Sequence, residues 1–110
     1  MGTQDQADET LLRRWVEGRD RDAADRLIRR HETALYAFCL RLSRSETEAS
    51  DAVQESFLRL LQRAEKFRGG SAVRTWLFGI AVNVVRSRRF RLRRLRNLFR
   101  PLEAMESQMA

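Results

Sequence analysis

The sequence predicts an all-α fold, a compact bundle of about four helices, and three observations support this. Residues that break helices are rare, with one proline (Pro101) and five glycines in 110 residues. Apolar residues recur at steps of three and four, which is the period of a helix with one buried face. Residues that favour helix starts, Asp20 and Ser45, stand in front of two of these segments. The length suits one domain with a single modest core.

The first two helices are predicted from apolar residues at helical spacing and from residues that favour the start or the end of a helix. Residues 1–7 are small and polar without a period, and we expect them to be disordered. A short helix is expected from Asp8 to Glu17, with Gly18 ending it. A second helix is expected to follow the N-cap Asp20 and to run to about Leu42. Its apolar stripe consists of Leu27, Ile28, His31, Leu35, Phe38, Cys39 and Leu42.

The third helix is predicted to have two different faces. Ser45 and Glu48 form a capping box, so the helix begins there, and it runs to about Glu65. One face is apolar: Val53, Phe57, Leu60, Leu61 and Ala64. The opposite face combines acids, amides and one leucine: Asp51, Gln54, Glu55, Leu58 and Gln62. Such a face could dock a basic partner, although a solvated face is the simpler interpretation of this pattern alone.

A glycine-containing loop and an arginine-rich helix are predicted for the rest of the chain. The loop around Gly69 and Gly70 breaks the third helix, and Ser71 is expected to N-cap a fourth. From Val73 to Val85 that helix is apolar almost all round, so it should be the central one. Arginines then alternate with apolar residues, so the helix can continue as a cationic amphipathic end. Pro101 is expected to stop it, with residues 101–110 as the start of a linker.

The positive charge is concentrated in the last two fifths of the chain. The net charge is +7, with −1 over residues 1–66 and +8 over residues 67–110. All but one of the 22 basic residues are arginine, the exception being Lys66. Arginine binds phosphates in a bidentate manner and stacks on bases, so this bias favours a nucleic-acid partner. A solvated cationic face is the alternative.

The same sequence gives no support to an enzyme, a metal site or a membrane span. A phosphate-binding loop, an HExxH motif and a Ser-His-Asp ordering are all missing. Cys39 is the only cysteine and His31 the only histidine, and both lie on an apolar stripe, where core packing is the expected role. We therefore predict no catalytic residues, no metal and no cofactor. The lack of a signal peptide or a long apolar run predicts a cytoplasmic location.

Three segments, in order, resemble the extracytoplasmic-function (ECF) sigma factors of bacterial RNA polymerase. Residues 48–58 read EASDAVQESFL and resemble the family's EAEDLVQEVFL run. Residues 67–70 and 74–78 read FRGG and RTWLF and resemble its FRG…FRTWLY segment. Residues 80–83 read IAVN, and with the arginines that follow they resemble RIARN…RRR. Order and spacing also match, and the likeness covers about Leu11 to Arg96.

The resemblance implies a sigma factor region 2-like domain over residues 8–100. It would bind core polymerase and would recognise and melt the promoter −10 element. A β′ coiled coil would bind Asp51, Gln54, Glu55, Leu58 and Gln62. A flipped base of the non-template strand would be captured by Phe67, Arg68, Gly69, Gly70, Ser71 and Ala72. Strand and duplex would contact Arg74, Thr75, Trp76, Asn83, Arg86, Arg88 and Arg89, with Trp76 open between core packing and a wedge. An anti-sigma factor is a further implied partner, and membrane insertion is not implied.

The sequence departs from the family pattern in three respects. Gly79 stands where the family commonly has arginine, and Ser87 where it often has aspartate. No segment after Pro101 could supply the family's second DNA-binding domain, region 4, so we expect a fragment cut in the linker, with a naturally shortened protein as the alternative. Two other functions remain open at this point. They are an interaction module for polymerase or an anti-sigma factor that does not read DNA, and a membrane-surface module using Phe78 to Phe99.

Overall fold

The computed structural model describes residues 6–109. These residues form four α-helices and one short 3-10 turn, joined by loops. The side chains of residues 102–104 and 107–109 are outside that description. The elements are α1 (Asp8–Gly18), α2 (Arg21–Ser43), α3 (Glu46–Gln62), the 3-10 turn (Ala64–Lys66) and α4 (Val73–Met109). Strands are absent from these residues, so the all-α prediction is confirmed. Residues 1–5 of the segment expected to be disordered lie outside the described residues, and Ala7 occupies the N-cap position of α1.

The helix ends agree with the sequence at two caps and differ at two. The Asp20 carboxylate accepts hydrogen bonds from the backbone N–H groups of Asp22 and Ala23, as an N-cap does. The Ser45 hydroxyl accepts one from Glu48 N–H. By contrast, α1 extends through Gly18, and Arg19 takes the left-handed conformation (φ 50°) that was expected of the glycine.

The second difference concerns the start of α4. Ser71 is not its N-cap, because the helix begins at Val73 and the Ala72 carbonyl accepts the first helical hydrogen bond from Trp76 N–H. The Ser71 hydroxyl donates instead to the Ala72 carbonyl, 3.2 Å away. The residue that carries the cap position therefore has no side-chain oxygen to offer. The prediction was wrong because it relied on the general preference for serine at N-caps, whereas the helix starts one residue later and its N-cap is Ala72.

The first half of α4 lies in the middle of the bundle, as predicted. Its buried side chains are Val73, Leu77, Ile80, Ala81, Val84 and Val85, and they pack against α2 and α3. From α2 the core receives Leu27, Leu35 and Cys39, which are fully buried. Burial raises the pKa of the Cys39 thiol, so this cysteine is packed rather than reactive, as expected.

His31 is buried as predicted, but it has a partner that the sequence did not suggest. Its Nε2 lies 2.8 Å from Asp8 Oδ2. The other oxygen of that carboxylate accepts a hydrogen bond from Arg30 at 2.7 Å. Asp8 is 23 residues away in the chain, so local spacing could not pair it with His31. The contact fixes the start of α1 against α2.

Helix α4 continues past the point where the sequence predicted its end. Pro101 lies inside the helix, which reaches Met109. Proline removes the hydrogen bond to the carbonyl four residues earlier, that of Asn97. Because Asn97 and its neighbours are exposed, water can satisfy that carbonyl, and the helix need not end. The described part of the chain is consequently elongated, 68 × 24 × 23 Å.

None of the helices within residues 6–109 combines the length and the apolar content that crossing a bilayer requires.

Candidate docking face and nucleic-acid interface

The acid-and-amide side of α3, here called the docking face, consists of Asp51, Gln54, Glu55, Leu58 and Gln62. Four of these side chains are exposed, and Glu55 is half-buried. Leu58 is 56% exposed, which is unusual for a large apolar residue in the middle of a packed helix. On the other side of α3, Phe57 and Leu60 of the predicted apolar face are buried, whereas Val53 and Leu61 are only half-buried. Ala52 and Ser56, which were not predicted, are buried beside them. The two faces predicted for this helix are therefore distinct in the structure.

Arg88, which was expected from the sequence to bind DNA, contacts the docking face in this structure. The guanidinium of Arg88 donates from Nη2 to Asp51 Oδ2 at 3.0 Å, and its Nη1 lies 4.0 Å from Glu55 Oε1. Arg91 Nη2 lies 3.9 Å from the same Glu55 oxygen, and Arg59 is 3.2 Å from the other. The Arg88 Nε is itself buried. Two acids of the docking face are thus partly neutralised by arginines of the same chain.

The segment between the 3-10 turn and α4, residues 67–72, forms an exposed loop that we call the glycine loop. Arg68, Gly69, Gly70, Ser71 and Ala72 are all exposed. Gly69 has φ +78°, a left-handed conformation that only glycine adopts without strain. An added Cβ at either glycine would meet no atom within 4 Å. The loop therefore leaves its backbone open to a ligand.

A pocket of about 320 Å³ separates the glycine loop from α1. The loop side is formed by Phe67, Arg68 and Gly69, and the turn before it contributes Ala64 and Glu65. The α1 side is formed by Glu9, Leu12, Arg13, Val16 and Glu17. The volume lies at the lower end of the range for small-ligand sites. Sequence reasoning did not connect α1 with this loop, since the two are about fifty residues apart.

Two aromatic side chains at the ends of the glycine loop contact each other. The rings of Phe67 and Trp76 are 5.2 Å apart between centroids and tilted by 43°. Both side chains are half-buried and pack against the core. Nearby, the Arg74 guanidinium lies 5.1 Å above the Phe78 ring. Trp76 is compatible with both roles considered for it, because one part of its ring packs against the core while another part remains accessible.

Most other residues predicted to contact DNA lie on one exposed side of α4. Thr75, Asn83, Arg86 and Arg89 are all exposed. With Gly79 they follow steps of four and three residues, so they form a single row along the helix. We call this row the outer face. Arg88 lies outside the row, because a position two after Arg86 falls on another side of the helix, and Arg74 and Trp76 flank its first residue, Thr75.

Residues that sequence reasoning missed lie next to this face. Glu48, Ser43 and Leu92 line a pocket of about 260 Å³ together with Arg89, Arg93 and Arg96. The steps from Arg89 to Arg93 and Arg96 were visible in the sequence as a helical period. The sequence did not indicate that Ser43 and Glu48, more than forty residues earlier in the chain, would lie beside these arginines. Among the described residues, no group of three or more His, Cys, Asp and Glu side chains could hold a metal ion.

Comparison with protein families assigns the fold. The sequence model of the family "Sigma-70 region 2" matches residues 27–96, which is more than half of the chain. The match includes most of α2, all of α3, the glycine loop and α4 as far as Arg96. The chain therefore belongs to the sigma-70 region 2 family.

The most informative relatives are sigma factors of the ECF type. The chain is 39% identical over 82 residues to the ECF RNA polymerase sigma factor SigM of Mycobacterium tuberculosis, covering 74% of the chain and 41% of that protein. It is 34% identical over 87 residues to the RNA polymerase sigma-H factor of Pseudomonas aeruginosa, covering 79% and 44%. It is 36% identical over 80 residues to the ECF RNA polymerase sigma-E factor of Haemophilus influenzae, covering 73% and 41%.

These relatives confirm the resemblance noted in the sequence: the chain is a region 2 domain of the ECF sigma factor type. The names of these relatives are those of sigma factors and not of enzymes, in agreement with the prediction. The chain spans less than half the length of these relatives. The roles of its individual residues stay predictions.

Proposed function

We propose that this domain binds core RNA polymerase through the docking face and recognises and melts the promoter −10 element through the glycine loop and the outer face of α4. One observation carries the proposal: the glycine loop and the outer face contain no acidic residue, whereas the docking face contains two, which Arg88 of the same chain contacts. The docking face holds Asp51 and Glu55, whereas no acidic residue occurs between Glu65 and Glu103. A basic protein surface and a polyanion would therefore bind to different parts of one helical bundle.

The docking face has the composition of a protein interface rather than of a solvated helix side. Leu58 supplies an exposed apolar centre, and the acids and amides around it supply a polar rim. The resemblance to ECF sigma factors supports a coiled coil of the β′ subunit as the partner. Negative charge on this face is suited to a basic coiled-coil surface, and it would speed association as well as fix the register.

The glycine loop is suited to capturing a flipped base of the non-template strand. Extruding a base costs a few kcal/mol, which contacts to the flipped base must offset. Stacking on an aromatic ring contributes about 1–3 kcal/mol per base. The accessible parts of Phe67 and Trp76, the open backbone at Gly69 and Gly70, and the pocket beside α1 supply such contacts. The cations of the outer face would hold the adjoining phosphates.

The docking half of the proposal is tested by reversing charge on the docking face. Asp51→Arg combined with Gln54→Ala should abolish binding of the isolated β′ coiled coil, with helicity by circular dichroism unchanged. Asp25→Arg is the matched control, because Asp25 is an exposed acid on α2 in a pair with Arg29. Undiminished binding by the double variant would refute the docking assignment.

The DNA half is tested by selection from a library of random single strands at fixed salt. The wild-type domain should enrich a defined short sequence. Substituting the loop residue Arg68→Gln should change or weaken that enrichment, whereas Arg63→Gln, an exposed arginine before the loop, should not. If the wild-type domain enriches no sequence, the loop is a general cationic surface and this half of the proposal fails.

An anti-sigma factor is proposed as a third partner, on the strength of the family resemblance. It would cover the docking face and so compete with polymerase. Competition between an isolated β′ coiled coil and such a partner for the wild-type domain would show that they share this face.

A further inference from the structure

The side of α4 that forms part of the core continues beyond the end of the bundle. Within the bundle, Leu77, Ile80 and Ala81 on this side are buried. Because an α-helix has about 3.6 residues per turn, a residue about five turns further along lies on the same side. The residues 18 positions later are Leu95, Leu98 and Phe99, which are 50%, 66% and 50% exposed. We call these three residues, together with the adjacent Leu92, the apolar extension.

The helices that cover this side of α4 do not reach the apolar extension. Arg88 contacts Asp51, which lies in the second turn of α3. Ser43, the last residue of α2, lines a pocket with Leu92. Beyond these contacts, every described side chain of α4 from residue 93 onward is exposed. Large apolar side chains therefore continue along the helix for about 10 Å past its neighbours.

We propose that the apolar extension binds an acidic amphipathic helix of a partner protein, which would continue the bundle as an additional helix. This interaction goes beyond the proposed function and does not depend on it. Exposed apolar residues at steps of three and four form the pattern by which one helix packs against another. A contiguous group of such side chains on a soluble protein marks an interaction site.

The arginines beside the apolar extension determine the charge of its partner. If Leu92 and Leu95 occupy the central a and d positions of a helix pair, Arg91 and Arg96 occupy the g and e positions on either side of them. Both arginines are exposed. Residues 86–100 contain eight arginines and no aspartate or glutamate. A helix with acids facing Arg91 and Arg96 would form ion pairs along both edges of the contact, whereas a basic helix would be repelled.

The same charge argues against a second copy of this chain as the partner. Two copies that packed their apolar extensions together would bring two sets of eight arginines close to each other. Like charges across an interface oppose association, and salt screens them effectively only beyond about 8 Å. An acidic partner would instead relieve the repulsion between neighbouring arginines within α4.

The position of the apolar extension argues against a membrane surface. It lies on the side of α4 against which α2 and α3 pack, so the bundle projects beyond it on that side. A flat bilayer would meet the bundle first. A single helix, with a diameter of about 10–12 Å, fits beside the end of the bundle.

A helix bound there would leave the two proposed ligand surfaces accessible. Arg86 of the outer face, nine positions before Leu95, lies on the opposite side of α4. Leu58 of the docking face lies in the C-terminal half of α3, whereas α4 leaves the bundle beside Asp51 in the N-terminal half. The acidic helix would therefore compete neither with DNA on the outer face nor with a partner on Leu58.

The test measures binding of a synthetic probe peptide to the full chain by fluorescence anisotropy. The probe is an acidic helix of about three heptads, with leucine at the a and d positions and glutamate at e and g. Two further peptides isolate each feature: one has lysine in place of glutamate, and the other has glutamine in place of leucine. The chain variant is Leu95→Gln. Its control is Phe90→Gln, because Phe90 is also exposed on α4 but lies on another side.

The acidic probe should bind the wild type and gain helicity, whereas the two altered peptides should bind at least about tenfold more weakly. Leu95→Gln should weaken binding of the acidic probe by about tenfold, because one buried leucine contributes at least that factor. Arg96→Gln should weaken it about twofold, whereas Arg93→Gln, which removes the same charge from the far side of α4, should not. Circular dichroism verifies that every variant retains its helices.

Equal binding of the acidic probe and the glutamine peptide would overturn the proposal, because the arginines alone would then explain the affinity. An equal loss of probe binding in Leu58→Gln would also overturn it, since the probe would then occupy the docking face. Either of two further results would overturn it in favour of another occupant. One is a wild-type dimer, measured by light scattering, that Leu95→Gln dissociates. The other is binding to phosphatidylglycerol vesicles that Leu95→Gln abolishes, without binding of the acidic probe.

Discussion

Arg88 of α4 donates a hydrogen bond to Asp51 of α3 across 3.0 Å, and the pair joins the two surfaces that the proposed function keeps apart. Asp51 belongs to the docking face, and Arg88 was predicted to bind DNA. Arg88 also lies 4.0 Å from Glu55, so its charge is directed at the docking acids in the free domain. A basic partner that binds Asp51 must displace this guanidinium.

Removing Arg88 should therefore strengthen docking. The pair is partly exposed, with 27% of the Arg88 side chain and 48% of the Asp51 side chain accessible, so its contribution should lie within the range of about 0.2–1 kcal/mol measured for such pairs. We expect Arg88→Gln to raise the affinity for the β′ coiled coil by up to about fivefold. Arg86→Gln removes the same charge from the outer face and should have little effect. Equal affinities of the two variants for the coiled coil would contradict this.

Substituting alanine should change the free energy of unfolding differently at the two glycines of the loop, Gly69 and Gly70. Gly69 has φ +78°, whereas Gly70 is outside the left-handed region. Gly69→Ala should therefore lower the free energy of unfolding by about 1 kcal/mol through backbone strain. Gly70→Ala should be neutral or slightly stabilising, since no atom lies within 4 Å of the added Cβ. Urea denaturation of the two variants measures the difference, and similar losses in both would show that left-handed strain is not the cause.

The stability of the domain should depend on pH through Asp20. Arg14 donates two hydrogen bonds to its carboxylate, at 2.9 and 2.6 Å. These bonds, together with that from Ala23 N–H, hold the pKa of Asp20 below its ordinary value of 3.8. A carboxyl with a lowered pKa stabilises the fold above its unfolded pKa and loses this contribution as the pH falls through the folded value.

Asp20→Asn tests this dependence because asparagine is also a good N-cap, so that the substitution removes mainly the charge. At pH 7 the variant should unfold at a lower urea concentration than the wild type. The gap should close as the pH falls below 3.8. Asp25→Asn, in an exposed pair with Arg29, gives the background expected of a surface aspartate. A gap between wild type and Asp20→Asn that is independent of pH would exclude the charge as its origin.

Local sequence signals predicted the elements of this fold well because caps and helical periods act over a few residues. Asp20 and Ser45 start their helices as expected, and the apolar run from Val73 became the central helix. The prediction that α4 ends at Pro101 was wrong. The free energy that a proline costs in a helix depends on whether the carbonyl that loses its hydrogen bond, here that of Asn97, can bind water. On an exposed helix it does, and α4 continues.

The sites were harder to predict where they depend on pairs of residues far apart in the chain. The sequence indicated both faces of α3, because each face consists of residues three or four positions apart in the chain. It did not indicate that Arg88 would contact Asp51, 37 residues earlier, nor that α1 would form one wall of the loop pocket. Such contacts follow from the angle at which helices cross, which a single helical period does not fix.

Glu48 should weaken DNA binding, and its removal should strengthen it. This carboxylate lines the pocket that Arg89, Arg93 and Arg96 share, where an incoming phosphate would meet its negative charge. At a separation of roughly 8 Å in water, two unit charges repel by about 0.5 kcal/mol, so Glu48→Gln should raise the affinity for extended duplex about twofold at low salt. Glu46→Gln is a matched control, since Glu46 is also an acid in the first turn of α3 and contributes similarly to the helix dipole. Titrations of both variants with a forked DNA that has a long duplex end measure this affinity: equal increases would mean that net charge alone, and not the place of Glu48 beside Arg89, Arg93 and Arg96, determines it.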